Sequence, residues 1–203
     1  MALLKLENVT KRFGGLIAVN RVSLEVDAGE FLGIVGPNGS GKTTLFNVIS
    51  GVFFPEEGRV SFEGKDITRL PPYRRAPLGI GRTFQIPRPF ASASVRENVA
   101  VGAMFGVLGR DLNVKESLKV ADQIIDRVGL QEHREKQAGA LTPVEKKLME
   151  IARALAMKPK LLLMDEAMAG MHPSDIDDMV ALVKNAAKDE GIAVVAMVEH
   201  IMR

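Results

Sequence analysis

The sequence has no cysteine and only three histidines among its 203 residues. Without cysteine there is no disulfide, no thiolate nucleophile and no thiolate zinc site. So few histidines argue against a histidine-rich metal site. A surplus of one charge is missing too. Lysine and arginine total 27 against 25 aspartates and glutamates, a formal net charge of +2. That surplus is too mild to point to nucleic acid as a partner. Long apolar runs are also absent. The densest stretches, 99–109 and 192–198, fall short of the roughly 18 residues that span a bilayer. Lys5 and Glu7 interrupt the apolar run a secretory signal would need. The expectation is a soluble, cytosolic protein that can still dock on a membrane protein. At 46% hydrophobic and 26% charged, the composition is that of a globular chain. Its length suits one domain, or a core with one inserted subdomain.

The apolar patterning divides the chain. Residues 4–9 and 22–26 alternate apolar and polar, as half-buried strands do. Phe31–Val35 reads as a buried strand stopped by Gly36. Leu161–Met164 and Ile192–Val198 are continuous apolar runs, the mark of parallel strands covered on both faces. Between them, 174–190 carries helix signals. Ser174 and Asp177 resemble a capping box, Ile176, Met179, Val180 and Val183 share a face, and Gly191 is a stop. No buried strand is evident over 88–155. There Asn113 can cap a helix bearing Val114, Leu118, Ala121 and Ile125, closed by Gly129. A second helix begins at Pro143, carries Val144, Leu148, Ile151 and Leu155 on one stripe, and stops at Pro159. The predicted fold class is α/β. A core with a mostly parallel sheet spans 1–87 and 156–203, and a helical subdomain is inserted at 88–155.

Gly36-Pro-Asn-Gly-Ser-Gly-Lys42-Thr43 matches the phosphate-loop pattern G-x-x-x-x-G-K-[ST]. A strand precedes it and an apolar helix, 44–50, follows, which is the setting the motif requires. Glycines let backbone N–H groups turn inward around phosphate oxygens, and the helix N-terminus adds partial positive charge. The candidate nucleotide-binding residues are therefore Gly36, Asn38, Gly39, Ser40, Gly41, Lys42, Thr43 and Thr44. Lys42 is a point charge for the β- and γ-phosphates, and the Thr43 hydroxyl is a candidate Mg²⁺ ligand. Farther on, Leu161-Leu-Leu-Met-Asp165-Glu166 ends an apolar strand in two acids, at the carboxyl edge where α/β proteins bind ligands. Asp165 is placed to hold Mg²⁺ through water. Glu166 is placed to orient or deprotonate an attacking water. A nucleotide bearing β- and γ-phosphates, with Mg²⁺, is the expected ligand.

With both phosphate motifs in hand, the chain resembles the ATPase subunit of an ATP-binding cassette (ABC) transporter over nearly its whole length. Phe13 stands where that family places an aromatic that stacks on adenine. Gln85, in Gly81-Arg-Thr-Phe-Gln85, matches the glutamine that meets Mg²⁺ and the water. His200 matches the histidine that contacts the γ-phosphate. Within the family, GRTFQIPRPF (81–90), SVRENVAVGAMFG (94–106) and Ala169-Gly-Met-His-Pro173 resemble branched-chain amino acid importers. The family's signature Leu-Ser-Gly-Gly-Gln stands here as Leu141-Thr142-Pro143-Val144-Glu145. Thr142 takes the serine's place and is expected to form a capping box with Glu145. Ala167 replaces the usual proline after the acidic pair, and His172 replaces the turn aspartate.

The resemblance implies a P-loop NTPase fold and a Mg²⁺-dependent ATPase with Lys42, Glu166 and His200 as catalytic residues. It implies a second ATPase subunit, two of which sandwich two ATP molecules. It also implies transmembrane permease subunits, an external solute-binding protein engaged indirectly, and a place on the inner face of the cell membrane. Relatives continue past His200, so an incomplete chain is expected. Three other readings stay open. One is an ABC ATPase without a permease, and another is a weakly catalytic partner of an active cassette. The third is a GTPase or small-molecule kinase, which would lack the signature-position helix and His200; a GTPase should also show a guanine-reading Asn-Lys-x-Asp, and none is present.

Overall fold

The computed structural model describes residues 2–109, 111–165 and 173–199. Two four-stranded sheets are present. One is antiparallel, in the order β2 (Leu16–Val26), β1 (Leu4–Phe13), β4 (Glu57–Phe62), β5 (Lys65–Asp66). The other is parallel, in the order β3 (Phe31–Gly36), β8 (Ala193–Glu199), β7 (Leu161–Met164), β6 (Ile80–Thr83). Helix α1 (Lys42–Ser50) lies between the sheets. Its Phe46 and Ile49 share a core with Leu4, Leu6 and Phe62 of the antiparallel sheet and Leu161, Leu163 and Val195 of the parallel one.

The continuous apolar runs now have a physical cause. Successive side chains of a strand point to opposite faces. Leu161 and Leu163 face α1, whereas Leu162 and Met164 join a second core. That core is built by α3 (Val95–Phe105), α4 (Val114–Arg127), α5 (Pro143–Ala156) and α6 (Pro173–Glu190). No strand interrupts the described part of 88–155, and its helices share one core with the parallel sheet.

Two expectations need correction. Phe31–Val35 is not a buried strand: β3 lies at the sheet edge, with Phe31 43% and Val35 63% exposed. Val114 does not join the buried stripe of α4, because it is the first residue after the cap and points to solvent. Helix α3 was not anticipated. Its signals were a Ser94/Glu97 capping box, present in the structure, and Gly102. A Cβ at Gly102 would lie 2.0 Å from the Arg153 carbonyl oxygen, so α3 can approach α5 this closely only with glycine there.

The short helix α2 (Pro72–Arg75) contributes a buried arginine, 1% exposed. The Arg75 guanidinium donates to the Val48 and Ile49 carbonyls at 2.8 and 2.7 Å. It also donates to the carbonyls of Ile67, Thr68 and Leu70. Burial lowers its pKa to about 10, so it remains a cation at neutral pH. Val48 and Ile49 lie in the last turn of α1, where a cation is favoured; Val48 also accepts the Gly51 N–H at 3.2 Å. Arg75→Met keeps the stem and removes these donors. Val48 keeps its bond from the Gly51 N–H, but the Ile49 carbonyl is left unsatisfied in a buried setting, which predicts a loss of about 1–3 kcal/mol. Urea unfolding checks this, and an unchanged midpoint at equal m-value would refute it.

Candidate functional site

The phosphate loop joins β3 to α1. Gly41, the N-cap of α1, has φ 92°, and a Cβ there would lie 2.1 Å from the Ala18 carbonyl oxygen. Only glycine fits both demands. Helix α1 has no capping side chain and no acid in its first turn. Helices α3, α4 and α5 each close their first turn with a capping box. The first-turn N–H groups of α1 thus lack a protein side-chain acceptor, as an anion site requires. The Lys42 ammonium, nearly buried, donates to the carbonyls of Gly36 at 2.6 Å and Pro37 at 3.0 Å. An ammonium has three donors, so these bonds hold Lys42 over the loop and leave one for phosphate.

Phe13 and the phosphate loop line one cleft of about 280 Å³, shared with Leu16, Ile17, Ala18, Asn38, Gly39, Gly41, Lys42, Thr43 and Thr44. Gly36 and Ser40 form the loop's base: a Cβ at Gly36 would meet the Ser40 hydroxyl at 2.8 Å. Phe13 is half exposed and meets Phe53 edge-to-face at 5.2 Å, with the Lys11 ammonium 5.2 Å from its ring centre. Glu56 pairs with Lys11 at 2.5 Å and accepts the Arg12 N–H. The Lys11 hydrogen bond holds the Glu56 carboxyl below its ordinary pKa. Lys11 is local, but Phe53 and Glu56, which complete the support of Phe13, lie far away in sequence.

The carboxyl ends of the parallel strands bring the other candidates to one edge. Gly36 is in register with Glu199, and Thr83 with Met164. Asp165 therefore follows β7 at this edge, and Gln85 lies two residues beyond β6. Glu166 and His200 lie outside the described residues. Asp165 does not simply face solvent: its Oδ2 accepts from Arg82 Nη2 at 2.7 Å, and both side chains are nearly buried. Arg82 is a participant that the sequence reading missed. Hard oxygen donors suit Mg²⁺, and the Thr43 hydroxyl and the Asp165 carboxylate are of that kind.

Thr142 does not line the phosphate cleft. It caps α5: its hydroxyl accepts the Glu145 N–H at 3.3 Å, and Glu145 accepts the Thr142 N–H at 2.7 Å. Glu145 also pairs with His133 at 3.1 Å and Lys136 at 3.7 Å. Its negative charge is thus turned back onto the cap and matched. Farther along α5, buried Glu150 accepts the N–H groups of Phe84 and Arg88, and Arg153 donates to the Arg88 carbonyl at 3.0 Å. Burial pushes the Glu150 carboxyl up, and the two N–H bonds oppose this. The loop carrying Gln85 is therefore anchored on the helix that begins at Thr142.

The cap has a pH signature. The Thr142 N–H bond lowers the Glu145 pKa below its ordinary 4.5. A depressed acid contributes stability above its unfolded pKa and loses it as pH falls through the folded value. Glu145→Ala is expected to cost about 0.3–1.5 kcal/mol at neutral pH. In thermal melts the gap to the parent should hold down to about pH 5 and close on further acidification. A gap that persists in acid would assign the loss to packing.

The ABC transporter family matches residues 19–169. A probable branched-chain amino acid transport ATP-binding protein LivG of Archaeoglobus fulgidus is 41% identical over 85% of this chain and 70% of its own length. The high-affinity branched-chain amino acid transport ATP-binding protein BraF of Pseudomonas aeruginosa is 32% identical over 99% of this chain and 83% of its own length. Among solved structures, an ATP-binding cassette of an ABC transporter in its ADP conformation superposes with a TM-score of 0.89. It is 36% identical and is matched over 100% of this chain and 83% of that one. A nucleotide-free cassette superposes with a TM-score of 0.88 at 37% identity, over 99% of this chain and 82% of that one. The phosphate loop and Phe13 line one cleft, Asp165 and Gln85 follow β7 and β6 of the parallel sheet, and the chain belongs to the ABC transporter family as an ATP-binding, ATP-hydrolysing subunit.

Proposed function

We propose that this subunit hydrolyses ATP with Mg²⁺ to energise uptake of branched-chain amino acids through membrane permeases. The observation that carries the reading is the cleft shared by Phe13 and the phosphate loop, beside the sheet edge of Asp165 and Gln85. Phe13 stacks on adenine. The glycine loop and the α1 N-terminus hold the phosphates, and Lys42 meets the β- and γ-oxygens. Thr43, Asp165 and Gln85 hold Mg²⁺, which when bound neutralises charge on the phosphates. Glu166 takes a proton from the attacking water, and His200 contacts the γ-phosphate. The relatives' names support the solute class.

Thr142 lies away from this cleft, which supports a dimer in which it faces the partner subunit's nucleotide. Residues 88–155 act as a helical subdomain that moves with the Gln85 loop, because Glu150 and Arg153 anchor that loop. A groove lined by Leu70, Tyr73, Arg74, Pro77, Leu78 and Val107 suits a permease segment. Exposed Phe105 and Leu108 follow in sequence on either side of Val107. No helix among the described residues is long and apolar enough to cross a membrane. Attachment to the inner membrane face therefore comes through the permeases, and a solute-binding protein acts on their far side.

The test is reconstitution of the subunit with its permeases in vesicles loaded with ATP. Binding protein and radiolabelled leucine, isoleucine or valine are supplied on the opposite face. ATP-dependent accumulation is expected. Hydrolysis without accumulation of any of the three would remove the solute assignment. Failure to assemble with any permease would favour an ABC ATPase outside transport.

A further inference from the structure

We propose that Arg82 is a positioning residue for the metal-binding carboxylate, locking Asp165 to the phosphate-loop helix. The inference rests on the nucleotide–metal reading above and concerns a residue to which that reading gives no role. Arg82 sits on β6, and its guanidinium is held on three sides. Nη2 donates to Asp165 Oδ2 at 2.7 Å. Nη1 donates to Asn47 Oδ1 at 2.7 Å and to Ser50 Oγ at 3.0 Å, both on α1. The Phe84 ring, next to Gln85, lies 5.1 Å from the guanidinium carbon. The side chains of Arg82 and Asp165 are only 9% and 6% exposed, so water competes poorly for this pair.

Thr43 and Asp165 come from different elements, the start of α1 and the end of β7. A shared metal site needs them at a fixed separation. Arg82 bridges the two elements and, by holding Oδ2, fixes where the second carboxylate oxygen lies. A planar guanidinium holds its donors in a fixed fork toward the three acceptors, whereas an ammonium on a flexible stem sets no such fixed geometry. Partners that orient a metal's ligands typically change metal affinity 10–100-fold. The part of nucleotide affinity that depends on Mg²⁺ therefore requires Arg82. The part supplied by Lys42 and the loop N–H groups does not.

Calorimetric titration of the full chain with ADP, in Mg²⁺ and in EDTA, separates the two parts. Arg82→Met is expected to keep the EDTA affinity within about twofold and to cut the Mg²⁺-induced gain about 10–100-fold. Arg82→Lys should recover part of the gain. In an Asp165→Asn background, Arg82→Met should change the gain by less than about twofold, because its effect passes through Asp165. An unaltered Mg²⁺ gain in folded Arg82→Met overturns the assignment. Equal losses in EDTA and Mg²⁺, or full additivity with Asp165→Asn, do so as well. If Arg82→Met does not fold, Asn47→Ala loosens the anchor while sparing the ion pair. A smaller loss of the Mg²⁺ gain is then expected, and no loss overturns the proposal. A parent chain that binds ADP equally with and without Mg²⁺ would instead overturn the metal reading itself.

Discussion

Lys42→Ala is expected to lower ATP affinity by about 10–150-fold, the equivalent of losing one charge-assisted hydrogen bond at roughly 1.5–3 kcal/mol. The structure gives this lysine little else to do. It starts α1, and its ammonium is folded over the loop onto the Gly36 and Pro37 carbonyls. Those two bonds restrict the side chain before phosphate arrives, so little rotamer freedom remains to be lost on binding. The fold should tolerate the change, because a loop carbonyl released by alanine can turn to water. Titration with a fluorescent nucleotide, with thermal melts as a control for folding, measures the effect. Unchanged affinity in a folded variant would remove the loop from the nucleotide site.

Glu166→Gln is expected to leave ATP affinity within about twofold and slow turnover by about 10²–10⁴-fold, the usual contribution of a general base. The amide keeps the shape of the carboxylate but has no basic oxygen. Glu166 directly follows Asp165, the residue that Arg82 ties to α1. Asp165 itself follows β7 at the sheet edge that also carries the phosphate loop. If the proposed ATP-held dimer forms and opens on hydrolysis, it should accumulate in this variant. Single-turnover hydrolysis and gel filtration with ATP read the two effects. Turnover at the parental rate would assign the water to another residue.

The local part of this protein was legible in its sequence. The phosphate loop is eight consecutive residues, and the cleft it shares with Phe13 is built from that local turn. The Asn113 and Thr142 caps were legible for the same reason: each satisfies orphan N–H groups with a carboxylate three residues on. The runs 161–164 and 192–198 announced strands covered on both faces, since a continuous apolar strand has no side to turn to water.

What only the tertiary structure decided is where side chains separated in sequence meet. Arg82 reaches Asp165 across 83 positions, Arg153 reaches the Arg88 carbonyl across 65, and Arg75 reaches the Val48 carbonyl across 27. In the sequence each is one more charged residue, and charged residues belong on the surface unless paired. The exposure of β3 was hidden in the same way. An apolar run records what its residues prefer, whereas burial depends on which neighbour strands and helices cover them. Local hydrogen bonding and side-chain periodicity are encoded within a few residues of each position. The Arg82 bridge that ties the Asp165 edge of the sheet to α1 exists only after folding brings distant segments together and excludes water from between them.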